Sequence, residues 1–134
     1  MTKRILIVDD EREMRMLLSI CLMTTPYIVD VATNGKEAID KITFNQYHLV
    51  ILDIIMPGSE GYELLKTIRS HTKRQVPIIL MSVIGDTERT IEGLKLGADD
   101  YIVKPFDPMK LLEKITLLID EKSRRANVDE YLLP

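Results

Sequence analysis

The stretch Leu49–Pro57, which reads LVILDIIMP, decides the fold of this chain. Its first four residues are apolar and branched, and no polar residue among them provides a solvent-facing side. This pattern is typical of a strand buried on both faces, as in a parallel sheet covered by helices. Asp53 ends the run, and Pro57 prevents the chain from continuing as regular structure. A carboxylate at the carboxyl end of such a strand lies where open α/β sheets bind ligands.

Four further segments have the character of strands, and segments with helical apolar spacing alternate with them. The strand segments are Arg4–Val8, Tyr27–Ala32, Pro77–Ser82 and Tyr101–Val103. Each crossover between parallel strands must be right-handed and long enough to return to the sheet. The sequence therefore predicts an α/β fold: a doubly wound, five-stranded parallel sheet of flavodoxin-like order 2-1-3-4-5 with five helices.

Local signals mark several helix ends and core positions. Gly97 stands where a glycine would close the fourth helix, and the pair Asp107 and Pro108 forms an N-cap followed by an N1 proline for the fifth. Ser59 is a candidate N-cap for the third helix. In the fourth helix, the spacing predicts that Ile91 and Leu94 face the core.

The composition is that of a cytoplasmic globular domain. The 134 residues carry a net charge of −3, are 46% hydrophobic, and contain no apolar run long enough for a membrane span or signal peptide. The single cysteine, Cys21, excludes an internal disulfide framework and fits a reducing compartment. Residues 1–121 are expected to form the domain, and residues 122–134 a helix end followed by a tail or linker, since the apolar period fades there.

Polar side chains follow four of the predicted strands and are expected to meet at one edge of the sheet. They are Asp9 and Asp10 after the first strand, Asp53 after the third, Ser82 after the fourth and Lys104 after the fifth. Three neighbouring carboxylates repel one another, and a hard divalent cation relieves that repulsion. Mg²⁺ is the common choice in phosphate chemistry, and an ammonium and a hydroxyl facing it can hold the oxygens of a phosphoryl group. Carboxylates are also known nucleophiles that form aspartyl phosphates.

Together, the motifs resemble the receiver domain of two-component response regulators. The residues that carry the resemblance are Ile7–Glu11, Leu52–Gly61, Met81–Ser82 and Gly97–Phe106, and the similarity runs from about Lys3 to Ile119 in the family's order and spacing. The last of these motifs is strongly specific by itself.

The resemblance implies a role for each residue at the strand ends. Asp53 is similar to the phosphoacceptor, which takes a phosphoryl group from a sensor histidine kinase or phosphotransfer protein. The Mg²⁺ ligands would be Asp10 and Asp53, with Asp9 as a ligand or water-mediated partner and the carbonyl of Ile55. Ser82 and Lys104 would each hold a phosphoryl oxygen.

The resemblance also implies a switch. The bond before Pro105 is expected to be cis. Tyr101 is similar to the family's switch aromatic: it would follow Ser82 inward and reshape the face formed by the fourth helix, fifth strand and fifth helix. Such a protein is not a conventional enzyme, although it catalyses its own Mg²⁺-dependent phosphorylation and dephosphorylation.

Two positions depart from the family's usual pattern. Val83 stands directly after the hydroxyl position, where a small residue is usual, and Ile84 follows it; with Ile55 opposite, this bulkier pair could shield a phosphoryl group from water. Slow self-dephosphorylation is the resulting hypothesis. Lys110 stands where many DNA-binding regulators of this kind place an acid used in a dimer salt bridge, which questions that familiar dimer but leaves a homodimer formed on phosphorylation open.

Three alternatives compete with this interpretation. A flavoprotein is disfavoured because Asp9, Asp10 and Glu11 would repel a flavin phosphate. An aspartyl-class phosphatase needs a second acid two residues after its nucleophile, where this chain has Ile55. The third alternative is a receiver-like interaction module that is never phosphorylated. No membrane partner is expected, DNA would be reached only through an output domain absent from this chain, and the chain could be a stand-alone receiver or a piece of a longer regulator.

Overall fold

The computed structural model describes residues 2–56, 59–72 and 76–132, with the side chains of 56, 59–61 and 122–132 excepted. Five parallel strands form the main sheet in the order β2-β1-β3-β4-β5. These strands are β1 (Arg4–Val8), β2 (Ile28–Ala32), β3 (Leu49–Asp53), β4 (Ile78–Val83) and β5 (Asp100–Lys104). The helices are α1 (Arg12–Leu22), α2 (Gly35–Phe44), α3 (Gly61–His71), α4 (Thr87–Lys95) and α5 (Pro108–Leu132). The predicted fold class and strand order are confirmed.

The central strands are buried on both faces because each face of the sheet carries its own layer of helices. In β1, Leu6 and Val8 pack in the core with α2 and α3, whereas Ile5 and Ile7 pack in the core with α1 and α5. Successive side chains of a strand point to opposite faces, so a run without polar residues supplies both cores at once. β3 alternates in the same way, and all five of its residues are buried.

Helix termini follow the predicted local chemistry where the structure describes them. The backbone N–H of Met109 donates to Oδ1 of Asp107 at 3.0 Å, and α5 begins at Pro108. Gly97 follows the end of α4 with a φ of +117°, a conformation that side chains with a Cβ rarely adopt. Both termini therefore have the predicted structure.

The orientation of α4 differs from the sequence prediction. Ile91 is 47% exposed, whereas Thr90 and Gly93 are buried and Leu94 is partly buried against the core. A Cβ added at Gly93 would lie 2.3 Å from Cδ1 of Leu80 in β4. The prediction for Ile91 is wrong because the bare backbone at Gly93 allows the closest approach to the sheet, and this turns Ile91 outward.

Two features extend beyond the predicted elements. A short antiparallel pair joins Ile55–Met56 to Ser59–Glu60 just after β3. α5 remains helical to Leu132, past residue 121, so the division into a domain and a tail stays a prediction. Pro57 lies outside the described residues, as does the side chain of Ser59 with its expected cap.

Among the described residues, none of the helices combines sufficient length with sufficient hydrophobicity to cross a membrane.

Candidate functional site

The carboxyl ends of β1, β3, β4 and β5 meet at one edge of the sheet, as the strand registers require. Asp53 lies beside Met81, and Ser82 lies beside Val103, the residue before Lys104. Asp9 directly follows β1, and its N–H donates to the carbonyl of Ala32 at the end of β2. The structure therefore places Asp9, Asp53, Ser82 and Lys104 along a single edge.

The Lys104 ammonium lies among the acidic side chains. Its Nζ is 3.4 Å from Oδ2 of Asp9, 3.4 Å from Oδ2 of Asp53 and 4.0 Å from Oε1 of Glu11. The Lys104 side chain is only 13% exposed, and Asp9 and Asp53 are buried. The peptide bond between Lys104 and Pro105 is cis.

Backbone donors fix the other oxygen of each buried carboxylate. Oδ1 of Asp9 accepts from the N–H of Glu11 at 2.8 Å, and Oδ1 of Asp53 accepts from the N–H of Ile55 at 3.0 Å. In both cases the donor lies two residues after the acid, so the chain turns around the carboxylate as soon as the strand ends. The two Oδ2 atoms are thereby left facing Lys104.

The charges in this pocket do not balance. The pKa of Asp53 is raised to about 6, chiefly by burial and also by the charge of Asp9, although the Ile55 N–H and Lys104 act in the opposite direction. Burial lowers the pKa of Lys104, but the charges and hydrogen bonds of Asp53 and Asp9 outweigh it, so that the net shift is upward. One ammonium is shared by several carboxylates, and a further cation would stabilise their ionised forms.

The donor set fits a hard divalent ion. Carboxylate oxygens of Asp9, Asp10, Glu11 and Asp53 lie within 4.8 Å of one another. Oxygen ligands of this kind are those that Mg²⁺ and Ca²⁺ prefer. The residues present therefore suit Mg²⁺, the ion expected from the sequence.

Ser82 adds a buried hydroxyl at the same edge. Ser82 is 2% exposed, and its Oγ has no hydrogen-bond partner among the described residues. Buried hydroxyls in proteins nearly always have a partner, so an unpaired one calls for a specific explanation. A ligand oxygen arriving at the end of β4 would provide that partner.

Tyr101 lies outside this pocket. It is 41% exposed, and Nζ of Lys114 from α5 stands 5.5 Å from its ring centroid. The same ammonium contacts Oδ1 of Asp100 at 2.9 Å. Lys114 therefore contacts two successive residues of β5.

Two residues close to the pocket were not identified from the sequence. In the sequence, Glu11 is only the last residue of an acidic run, yet its carboxylate belongs to the acidic cluster and lies 4.0 Å from the Lys104 ammonium. Arg15, on the first turns of α1, donates from Nη1 to the carbonyl of Asp9 at 2.9 Å. Its position in an amphipathic helix gave no signal of this contact.

Sequence comparison identifies a family and close relatives. The family described as response regulator receiver domain matches residues 5–116. The transcriptional regulatory protein ResD of Bacillus subtilis is 40% identical over 128 residues, which are 96% of this chain and 51% of ResD. The transcriptional regulatory protein SrrA of Staphylococcus aureus is 37% identical over 119 residues, 89% of this chain and 48% of SrrA. The chain thus spans about half the length of these regulators.

Structural comparison gives the same result. A CheY-like response regulator receiver domain protein from Methanospirillum hungatei superposes with a TM-score of 0.86 at 34% identity, covering 93% of this chain and 99% of the other. A putative response regulator from Chloroflexus aurantiacus has a TM-score of 0.84 at 33% identity, covering 90% and 99%. NtrX from Brucella abortus has a TM-score of 0.91 at 26% identity, covering all of this chain and 31% of NtrX.

Proposed function

Because this chain belongs to the response regulator receiver domain family, we propose that it is the phosphoacceptor of a two-component system. Asp53 takes a phosphoryl group from a sensor histidine kinase or a phosphotransfer protein. The observation that carries this proposal is the shared contact of buried Asp53 and Asp9 with the Lys104 ammonium. A nucleophile, a charge partner and a metal ligand then lie within one small pocket.

In the proposed reaction, a carboxylate oxygen of Asp53 attacks the phosphorus of a phosphohistidine. The new O–P bond forms as the N–P bond breaks, and the leaving imidazole nitrogen takes a proton from solvent. Bound Mg²⁺ would neutralise charge on the transferring phosphoryl group. The residues proposed to hold it are Asp9, Asp10 and Asp53, with the backbone carbonyl of Ile55.

Two further side chains would hold the phosphoryl oxygens. The Lys104 ammonium, already aimed at Asp53, exchanges its carboxylate contact for a phosphoryl oxygen. The buried hydroxyl of Ser82 donates to another oxygen and so gains the partner that it otherwise lacks. Positioned charges of this kind provide most of the catalysis in phosphoryl transfer, so the protein promotes its own phosphorylation without being a conventional enzyme.

The proposed output passes through Tyr101. Movement of Ser82 toward the phosphoryl group opens space for the ring, which turns inward and changes the surface formed by α4, β5 and α5. We further propose that this surface binds a partner or a second copy of the chain in the cytoplasm. Since ResD and SrrA are transcriptional regulatory proteins of about twice this length, DNA contact would reside outside these 134 residues.

Intact-mass spectrometry after incubation with acetyl phosphate tests the proposal. The expected result is a single phosphoryl adduct that requires Mg²⁺, is lost with chelator and is absent from Asp53→Asn. Asp40→Asn, which alters an exposed carboxyl on α2, serves as the matched control and should be labelled like the wild type. An adduct on Asp53→Asn would assign the chemistry to another residue.

A second outcome would favour the alternative function. If no adduct forms and the phosphoryl mimic beryllofluoride does not bind in the presence of Mg²⁺, the chain is a receiver-like interaction module that works without phosphorylation.

A further inference from the structure

Arg15 completes the set of hydrogen bonds around Asp9. The Asp9 N–H donates to Ala32, its Oδ1 accepts from the N–H of Glu11, and its Oδ2 faces Lys104. The remaining polar group is the backbone carbonyl, which accepts from Nη1 of Arg15 at 2.9 Å. Every polar group of this fully buried acid is therefore engaged, and Arg15 is the only partner that reaches it from a helix among the described residues.

The same guanidinium acts electrostatically on Glu37, in the first turn of α2. A hydrogen bond from Thr33 lowers the pKa of Glu37, burial opposes this, and the charges of Lys41 and Arg15 lower the pKa further. The charge of Arg15 therefore acts on the first turn of α2, which follows β2, the strand beside β1 in the sheet.

We propose that Arg15 is a positioning residue for the metal site. By holding the Asp9 carbonyl, it fixes the turn that carries Asp9, Asp10 and Glu11 in the arrangement that binds Mg²⁺. This inference rests on the proposed function of the acidic cluster as a Mg²⁺ site. Residues that orient metal ligands typically contribute about 10- to 100-fold to metal affinity.

The charge of Arg15 and its positioning role predict opposite effects of its removal on Mg²⁺ affinity, so the two can be told apart by experiment. Arg15 is a positive charge near a cation site, so charge alone would make its removal tighten Mg²⁺ binding, by roughly two- to four-fold over a separation of several ångströms. Loss of positioning would weaken binding instead. A weaker site after removal of a nearby cation cannot be explained by charge.

The test is calorimetric titration of the full chain with Mg²⁺. Arg15→Met is expected to weaken binding by about 10-fold or more. Arg12→Met is the matched control, because Arg12 is exposed on the same helix and also lies beside the acidic run. It should bind as tightly as the wild type or more tightly. If Arg15→Met binds as tightly as Arg12→Met, the inference is overturned.

Two further comparisons separate positioning from general loss of structure. Arg15→Lys, which keeps a positively charged hydrogen-bond donor at this position, should retain part of the Mg²⁺ affinity. If Arg15→Met does not fold, the Mg²⁺ affinities of Arg15→Lys and Arg12→Lys are compared instead, and the same criterion applies. In metal-free protein that is folded, amide exchange at Glu11 should be faster in Arg15→Met than in Arg12→Met. Equal exchange rates would contradict the proposed fixing of the turn.

Failure of the proposed function gives a different pattern. A wild-type protein that binds no Mg²⁺ would overturn the metal site and this inference with it. If the wild type binds Mg²⁺ and Arg15→Met binds it equally tightly, the positioning role of Arg15 is overturned, but the metal site is not.

Discussion

Asp9 and Asp53 present their Oδ2 atoms to one ammonium group, that of Lys104, at equal distances of 3.4 Å. Their Oδ1 atoms have equivalent hydrogen-bond partners, since each accepts from the backbone N–H two residues further along the chain. Two buried carboxylates therefore share one cation in a pocket with little access to water. This arrangement favours binding of a proton or of a second cation.

Metal-free protein should become more stable as the pH falls toward about 5.5. The pKa of Asp53 is about 6 in the folded protein, above its ordinary value of 3.8. The folded state therefore binds a proton more strongly than the unfolded chain, and the resulting stabilisation is present at low pH and lost as the pH rises through 6. In chelator, lowering the pH from about 7.5 to about 5.5 should raise the unfolding temperature of the wild type by about 3 °C more than that of Asp53→Asn. Identical pH dependence of the two proteins would contradict this prediction.

Replacing Lys104 by methionine should slow phosphorylation without abolishing metal binding. The ammonium lies 3.4 Å from Oδ2 of Asp53, and removal of one such preorganised group typically costs about 100-fold in rate. Mg²⁺ affinity should stay the same or rise because a competing cation has gone. The measurement is the rate of labelling by acetyl phosphate at saturating Mg²⁺, with Lys110→Met as an exposed control. Labelling of Lys104→Met at the rate of the control would exclude the proposed role.

Ser82→Ala should separate stability from chemistry. The hydroxyl is buried and unpaired, and an unsatisfied polar group of this kind costs about 1 kcal/mol or more, so its removal should leave the metal-free fold as stable or more stable. Labelling should slow by roughly 10- to 100-fold, since a hydrogen bond to a charged phosphoryl group is lost. Urea unfolding and acetyl phosphate labelling give the two values. A large loss of stability would show that Ser82 has a structural partner.

Smaller side chains at the mouth of the pocket should shorten the lifetime of the phosphoryl group. Val83 and Ile84 directly follow Ser82, and Ile55 follows Asp53 by two residues. The double variant Val83→Ala, Ile84→Ala should lose label roughly 10-fold faster, which corresponds to about 1.4 kcal/mol in the barrier, if these side chains exclude attacking water. Ile91→Ala, which removes an exposed apolar group on α4, is the control. An unchanged lifetime in the double variant would remove the basis for the shielding hypothesis.

Asp99 should be important for stability although it lies away from the acidic cluster. Its Oδ2 accepts from the backbone N–H of Ile78 and from Nη2 of Arg69, each at 2.8 Å. Asp99→Ala leaves a buried N–H at the start of β4 without its acceptor, so a loss of about 2 kcal/mol is expected. Urea unfolding against the exposed control Asp120→Ala measures it. Equal stability of the two variants would mean that another acceptor replaces the carboxylate.

The fold was predictable because its signals are repeated along the chain. Strands buried on both faces need uninterrupted apolar runs, and the crossovers between them restrict the topology to very few arrangements. The pair of strands after β3 escaped prediction because elements of two residues have no periodicity. The prediction of which side of α4 faces the core was wrong for a different reason. Hydrophobicity favours burial of Ile91, whereas the helix packs closest to the sheet at Gly93, which has no side chain.

The site was predictable only where strand ends determine position. Asp9, Asp53, Ser82 and Lys104 each follow or end a strand, so parallel topology alone brings them together. The contacts of Glu11 and Arg15 depend on how far long side chains reach across a turn, and sequence spacing does not encode that reach. The switch and metal roles depend on states that include a ligand, and they remain predictions.

The contact between Gly93 and Leu80 also has a mechanical consequence. Gly93 has no side-chain torsion that could absorb a displacement, and Leu80, its neighbour in β4, is enclosed in the core. On the helix side, the contact is made by backbone alone. A shift of the strand that ends in Ser82 and Val83 would therefore press, through Leu80, directly on the backbone of α4.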